Sequence, residues 1–494
     1  MFVLELFLND SYGFYSFCNK KFFMKFKIQN ILIKHCIHLF NKLNQDDLYN
    51  SLLEEYKTIK KDSSKTNRKK KLVKELTNIR ESYGLTKNEL QKYAKKQQVK
   101  YSKYIASQEA QVIANEVWRG CEDVLYKKSK LHFKKLEDIN SVSSKSLLNG
   151  IRFDKTTKTL YINKYNKPLI FKEYDKSYIE KCFKNKLKYC KLIRKPFNTG
   201  YRYYIQMVFE GASPIKYIKG VGDSGIDPGV STIAVSTPNK CILKDLAPNI
   251  ESYNKRIIEI QKKMERSLRL NNPTCYNKDG TIKKGSKFVK TKNYKKINKL
   301  YKSLNRKRTE YIKNCHYKLI KEIISDSSTI YCEKMNYKAL QKKVKITKKD
   351  IKTSLITTKK GPKEIHKYKR KKRFGKSLKN KSPAKFLERL IKKADFYDIE
   401  VKYINTKTFK ASQYNHLTDS YKKKELKERW NQLNEDIIQR DLYSAYLIQN
   451  SKKDLKQTDR DKCKKNYEKF KKNHDKCIEK IKAQGQKRPK SFGF

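Results

Sequence analysis

The sequence predicts a multidomain α/β protein whose second half is a mixed sheet flanked by helices. Three observations lead there. Apolar residues recur with a helical period through most of the stretch from Asn30 to Leu136, and with a period near two from Leu147 to Ile215. From Gly222 to Ile448, short β-rich runs alternate with helical ones, and three of these elements carry a lone acid at one end.

Residues 1–23 show no clear role. Their opening, Met1-Phe2-Val3-Leu4-Glu5-Leu6-Phe7-Leu8, superficially resembles a signal peptide, but it carries Glu5, lacks a basic leader and has no small-residue cleavage site. Met24-Lys25-Phe26-Lys27-Ile28 would itself serve as a protein start. From Asn30 to Lys60, Ile33, Ile37, Phe40 and Leu43 mark one helical face. A charged break from Lys60 to Lys71 precedes a helix from Leu72 to Ser82. Thr86 and Glu89 then form a capping box at the start of another helix. The strongest helix of this half runs from Ser107 to Leu136. Its stripe of Ala110, Ile113, Ala114, Val117, Trp118 and Cys121 reads as bundle core, and Arg119 with the lysines covers other faces. The runs Leu160-Tyr161-Ile162, Leu169-Ile170-Phe171 and Tyr201 to Phe209 read as antiparallel strands of a small barrel or sheet.

Ser224 to Thr237 reads as two short strands joined by a tight turn at Pro228-Gly229, with Ile226, Val230, Ile233 and Val235 on buried faces. Asp227 closes the first strand. A carboxylate there can hold a metal ion close to a bulky anion, an approach that a larger residue at Gly229 would crowd. Alone, this is a common hairpin with a solvated acid. Ile250 to Ile324 reads as a helical hairpin, Ile257, Ile260, Met264 and Leu268 facing Leu300, Leu304, Tyr311 and Ile312. Ser328 to Asn336 is a strand ending on Glu333. Gln341 to Lys381 is a lysine-dominated insertion, expected as a loop that orders on nucleic acid or as a mobile lid. A helix from Ala384 to Ala394 and a strand from Glu400 to Ile404 return to the sheet. Gln439 to Ile448 reads as a helix presenting Asp441 near its start. The tail from Ser451 to Phe494 is basic, poor in apolar residues and expected to be mobile; Cys463, His474 and Cys477 make no credible metal pattern.

Together, a strand-turn Asp227, a strand-end Glu333 and a helix Asp441 form the pattern of an RNase H-like sheet, which gathers carboxylates to hold two divalent cations across a scissile phosphate. These stretches resemble the split RuvC-like nuclease of TnpB, the protein encoded by many insertion sequences and related to the compact type V CRISPR effectors; Fanzor proteins share the motifs. Asp227, Glu333 and Asp441 fall on the first, second and third motif in turn. The resemblance covers Gly222 to Ile448 well and is looser upstream. It implies an N-terminal segment and first part of a wedge over 1–60, a helical recognition domain over 61–146 and a β-rich wedge domain over 147–217. A RuvC-like nuclease follows over 218–340, interrupted by a basic insertion over 341–382. It continues over 383–412, meets a lid over 413–434, closes with a helix over 435–450 and leaves a basic tail over 451–494.

The resemblance further implies an RNA-guided DNA endonuclease, with guide RNA and double-stranded target DNA as partners and cutting beside a short flanking motif. Two Mg²⁺ ions would be held by Asp227, Glu333 and Asp441. Arg440 would either steady charge on the phosphate or make a salt bridge. The chain also departs from the family. A four-cysteine zinc ribbon usually lies between Ser412 and Asp441, yet Asn415 and Thr418 stand where its first pair would be. Zinc is therefore not expected, His416 reads as a surface residue, and the lid is expected to persist through Tyr421, Leu426 and Trp430. Tyr443 stands where Asn is common.

Charge points the same way. Lys and Arg number 119 against 50 Asp and Glu, a formal charge of +69 that would strain a compact fold without a polyanion to neutralise it. Aromatic residues, 12% of the chain, offer bases stacking surfaces. Candidate nucleic-acid contacts are Arg119, Arg202, Lys287, Lys295, Arg306, Arg308, Lys371 and Arg373, most of them within the basic stretches Lys287 to Arg308 and Lys342 to Lys381. Eleven cysteines without a C-x-x-C pair argue against a disulfide framework and fit a reducing interior. No apolar run approaches the ~18 residues of a membrane span. The expectation is a soluble intracellular protein without membrane partners, in the cytoplasm of a bacterial or archaeal host or the nucleus of a eukaryotic one. Rival readings are an RNA-guided binder that has lost cleavage, a strand-joining transposase and a structural RNA-binding protein with incidental acids. The three intact acids weigh against the first, and the lack of a recognisable helix-turn-helix against the second.

Overall fold

The computed structural model describes residues 1–8, 11–59, 66–127, 129–169, 171, 173–215, 217–341, 349–358, 361–368, 374–425, 427–484 and 488–494. The chain divides into two units, Met1–Pro214 and Ile215–Phe494.

In the first unit, strand β1 (Phe2–Leu8) leads into a long helix α1 (Tyr12–Leu43), capped by the Ser11 hydroxyl, which accepts the Phe14 N–H at 3.3 Å. Helices α2 (Asp47–Ile59), α3 (Thr66–Ser82), α4 (Lys87–Val99) and α5 (Ser107–Lys127) follow. Next come β2 (Ser141–Ser143), the meander β3 (Ile151–Asp154), β4 (Thr159–Ile162) and β5 (Tyr165–Pro168), helix α6 (Glu173–Phe183), and the long hairpin of β6 (Leu187–Phe197) and β7 (Gly200–Phe209). One sheet has the order β1-β7-β6-β2 and the other β3-β4-β5. Residues 1–23 therefore do have a role. They supply an edge strand and a share of the β core, where Leu4, Leu8, Phe14, Phe17 and Phe22 are buried with Leu192, Tyr203 and Met207. The second half of α1 enters a helical core, where Ile28, Leu32, Ile33 and Phe40 pack with Leu90, Ala114 and Val117.

Between these two halves of α1, Lys21 is fully buried. Its Nζ lies 2.7 Å from Glu109 Oε2, 2.7 Å from the Tyr104 carbonyl and 2.6 Å from Asn163 Oδ1. Breaking such a pair strands a buried charge, at a cost of about 3–5 kcal/mol. Thr86 caps α4 through the Glu89 N–H, while the Glu89 carboxylate pairs with Lys92 at 2.7 Å. Helix α5 ends at Lys127, short of Leu136.

In the second unit, β8 (Asp223–Pro228), β9 (Thr232–Ser236) and β10 (Cys241–Asp245) form a meander. Helices α7 (Ile250–Asn271) and α8 (Lys292–Ile324) pack on each other before β11 (Thr329–Glu333). Then come α9 (Tyr337–Gln341), a hairpin of β12 (Lys349–Thr358) and β13 (Gly361–Tyr368), α10 (Gly375–Lys381), α11 (Pro383–Phe396), β14 (Glu400–Ile404) and α12 (Thr406–Phe409). Two short hairpins follow, β15 (Tyr414–Asn415) with β16 (Ser420–Tyr421) and β17 (Trp430–Leu433) with β18 (Asp436–Gln439). Helices α13 (Arg440–Gln449) and α14 (Arg460–Ala483) complete the unit.

Five strands form the central sheet in the order β10-β9-β8-β11-β14, with β11 parallel to both β8 and β14 and β9 antiparallel to its neighbours. Alternation along the strands sorts the side chains between two layers. Ile226, Ile233, Val235, Ile330 and Cys332 pack with Ile320, Ile323, Phe386 and Leu390 of α8 and α11. On the other side, Ala234 and Leu243 pack with Leu442, Ala445 and Tyr446 of α13 and Phe470 of α14. Gly225 lets α13 lie directly on β8: a Cβ there would stand 2.0 Å from the Ala445 carbonyl oxygen and 2.3 Å from the Gln449 nitrogen.

Two expectations are corrected. The tail carries a packed helix: Cys463, Tyr467, Phe470, His474 and Ile478 are buried along one side of α14. Its apolar residues are few, but their three- and four-residue spacing puts them on a single stripe. The described part of the lysine-rich insertion carries the β12–β13 hairpin and α10 in place of a plain loop. Lys371 and Arg373 lie outside the described residues. Among the described residues, no helix is long and apolar enough to cross a membrane.

Candidate active site

Strands β8 and β11 run in parallel, with Ile226 opposite Cys332. One residue further along, Asp227 and Glu333 stand level at the ends of their strands. Because Ile226 and Cys332 face α8 and α11, strand alternation turns both acids toward the α13 side. Helix α13 starts directly after β18, and its N-cap Gln439 accepts the Leu442 N–H at 2.8 Å through Oε1. Asp441 thus sits in the first turn, where the helix dipole favours a negative charge.

The three carboxylates line one open cavity of about 610 Å³, together with the turn Gly229–Thr232, Gln413, Lys423, Lys424, Arg429 and Ser491. Asp227 is partly exposed to this cavity, yet its pKa is pushed well above the usual carboxylate range. Loss of hydration is the main cause, the charges of Asp441 and Glu333 add to it, and Arg440 opposes it. Burial also raises Glu333. Asp441 is steadied by Arg440, whose Nε and Nη2 are each 3.3 Å from Oδ1, and Arg429 Nη1 lies 3.9 Å from Oδ2.

An all-oxygen set of crowded carboxylates is what hard divalent cations take. Among the described residues, no three carboxylate, imidazole or thiol groups are placed to hold one ion together. Asp227 is the carboxylate whose pKa both of the others raise.

Arg440 makes the salt bridge that was one of its two expected roles: besides Asp441, its Nη1 donates to the Glu425 and Glu428 carbonyls at 3.2 and 3.0 Å. Arg440 also lines the cavity, together with Arg429, Lys423 and Lys424, three cations that the sequence reading missed. They lie in an irregular stretch that offers no periodic signal. Crowding at Gly229 comes from its own hairpin, since a Cβ there would stand 2.9 Å from the Thr232 carbonyl oxygen; the tight approach is at Gly225.

His416, read as a surface residue, is fully buried. Its Nδ1 lies 2.6 Å from Tyr443 Oη, and its backbone N–H donates to the same oxygen at 3.1 Å. Burial, with Arg460 and Lys464 nearby, lowers its pKa to about 4. Around it, the exposed Tyr421 packs on Tyr414 at 4.8 Å between ring centroids, and Trp430 Nε1 donates to the Gly493 carbonyl at 3.0 Å. Leu426 lies outside the described residues.

The nucleic-acid candidates separate into two groups. Arg119, Lys287 and Lys295 are exposed, and so is Arg202, whose guanidinium lies 4.2 Å from the Phe197 ring centroid. Arg306 pairs with Glu310 at 2.6 Å, and Arg308 bonds Asn254 and Asn380 at 2.9 and 3.1 Å, so both are engaged within the fold.

No family model and no curated protein matches the chain. Solved structures similar to the chain at low identity include three type V effector complexes. A cryo-EM structure of a Cas12f1–sgRNA–target DNA complex is 13% identical, with 87% of this chain and 82% of that chain covered and a TM-score of 0.41. A cryo-EM structure of a CRISPR-Cas12f ternary complex is 14% identical, covering 90% and 86%, with a TM-score of 0.23. A crystal structure of a Cas12i1 R-loop complex before target DNA cleavage is 10% identical, covering 94% and 66%, with a TM-score of 0.24. At scores this low the likenesses carry no weight for fold or activity.

Proposed function

We propose that the chain is an RNA-guided DNA endonuclease of the TnpB type, built on an RNase H-like nuclease domain. One observation carries the nuclease part. Three acids far apart in sequence, on two parallel strands and a helix, line a single cavity also walled by Lys423, Lys424 and Arg429. The strand order β10-β9-β8-β11-β14, with a meander followed by two parallel additions, supports the RNase H-like reading. The guided part rests on the resemblance of the three acid-bearing stretches to TnpB and on the +69 charge, which favours RNA and DNA as partners.

Asp227, Glu333 and Asp441 would hold two Mg²⁺ ions. Bound there, the ions would supply an activated water and charge stabilisation at the leaving oxygen of a phosphodiester. The residues themselves create the demand for those ions: desolvation and like charge make an ionised Asp227 unfavourable without a counter-charge. Arg440 keeps Asp441 turned toward the cavity and ties it to the loop before β17. Arg429 lines the cavity beside Asp441 and can neutralise an entering phosphate.

The test is to sequence RNA that copurifies with the protein, then supply DNA complementary to its variable end, with and without Mg²⁺. One defined RNA species and Mg²⁺-dependent cutting are expected. RNA drawn at random from the transcriptome removes the guided part, and absence of cutting in Mg²⁺ and Mn²⁺ removes the nuclease.

A further inference from the structure

Gln439 is the last residue of β18 and is fully buried. Three of its groups are engaged. Its backbone N–H donates to His474 Nε2 at 3.0 Å, its Oε1 accepts the Leu442 N–H at 2.8 Å, and its Nε2 donates to the Ser491 carbonyl at 3.4 Å. His474 comes from the buried side of α14, and Asp475 Oδ1 lies 2.8 Å from its Nδ1, so the partners assign the proton to Nδ1 and leave Nε2 as acceptor. The Ser491 hydroxyl is 3.2 Å from Thr232 Oγ1, and the Thr232 carbonyl accepts the Gly229 N–H at 3.0 Å in the turn just after Asp227.

We propose that Gln439 is a positioning residue, fixed by His474 and Ser491, that sets where Asp441 stands relative to Asp227. This rests on the nuclease reading above. A hydrogen-bonded path runs from α14 through the start of α13 and residues 490–494 to the turn beside Asp227, so the two acids are braced against each other. The 490–494 segment is seated firmly enough to act as a brace. Phe492 is buried, Trp430 holds the Gly493 carbonyl, and Gly493 has φ +91° where a Cβ would come within 2.6 Å of Arg429 Cβ. Oxygen ligands must keep their distances to an ion within ~0.2 Å.

The substitutions separate capping from bracing. Gln439→Ser keeps a good N-cap but cannot reach Ser491. His474→Leu removes the acceptor, and His474→Gln offers Oε1 in its place. Mn²⁺ is the probe, its binding to the full chain followed by electron paramagnetic resonance. The Asp441→Ala protein serves as blank for ions held elsewhere. Loss of an outer-shell partner predicts roughly tenfold weaker Mn²⁺ binding for Gln439→Ser and His474→Leu, with a matching rise in the Mg²⁺ midpoint of cleavage. His474→Gln should recover most of the loss. If His474→Leu fails to fold, Gln439→Ser decides. A folded Gln439→Ser protein that binds Mn²⁺ like wild type overturns the inference, whereas wild type binding no more than the Asp441→Ala blank overturns the nuclease reading itself.

Discussion

Tyr443 and His416 meet in the core, Oη 2.6 Å from Nδ1, joining the helix that carries Asp441 to the first of the short hairpins before it. The phenol accepts the His416 N–H and donates to Nδ1, which leaves Nε2 carrying a proton with no partner among the described residues. His416, read from the sequence as a surface residue, is thus a buried partner of Tyr443. Tyr443→Phe should therefore cost ~1–3 kcal/mol, because it leaves two buried polar groups of His416 unpaired. Urea unfolding measures it. A loss no larger than a surface substitution's, about 0.5 kcal/mol, would mean His416 finds another partner.

Acid should weaken the fold through its buried histidines. His416 and His316 are each held at about 4, in both cases chiefly by desolvation. The unfolded chain binds more protons than the folded one between that value and the ordinary 6.5 of an exposed imidazole. Stability therefore falls as pH is lowered through this window, with a slope approaching ~1.4 kcal/mol per pH unit for each histidine. Above the window these histidines contribute no slope. His416→Leu should unfold with a shallower pH dependence between pH values of roughly 7 and 5; a slope equal to wild type would refute a buried neutral His416.

Asp227→Ala, Glu333→Ala and Asp441→Ala should each abolish cleavage while leaving nucleic-acid binding in place, and combining them should add little, because such residues act as a unit. Asp227→Asn carries a second expectation. A carboxylate whose pKa is raised in the fold opposes folding at neutral pH, so the metal-free variant should melt above wild type. Calorimetry without metal and a guided cleavage assay test the two halves; any single acid mutant that cuts near the wild-type rate is not a ligand.

Gly225→Ala should be among the most damaging single-methyl additions in the second unit. The atoms it meets belong to the α13 backbone and cannot rotate aside, so the cost should exceed the ~1–3 kcal/mol of ordinary overpacking. Gly229→Ala meets Thr232 at a longer 2.9 Å and should cost less. Equal melting temperatures for the two variants would contradict this packing.

Arg306 and Arg308 are engaged within the fold, so the basic stretch should bind nucleic acid through its exposed lysines. Replacing Lys287, Lys290, Lys292 and Lys295 with Gln should lower the salt slope of binding by roughly one for each phosphate that is no longer neutralised. An unchanged slope in a filter-binding titration would leave the stretch a solvated face.

The second unit's short elements were legible in the chain itself: the Asp227 hairpin, the strand ending at Glu333, the helix starting by Asp441 and the long α7–α8 pair. Each is encoded in a short window by period, turn residues and caps, which neighbouring residues alone set. Partnership over long separations came only with the folded arrangement. Phe2–Leu8 gained a role by pairing with β7, His416 was buried by a tyrosine 27 residues away, and α14 became core because its sparse apolar stripe met α13. Arg440 turned inward for the same kind of reason, its guanidinium completed by two loop carbonyls whose position no local pattern specifies. Burial and hydrogen bonding across the chain depend on which surfaces meet, and that depends on the whole sheet and its covering helices.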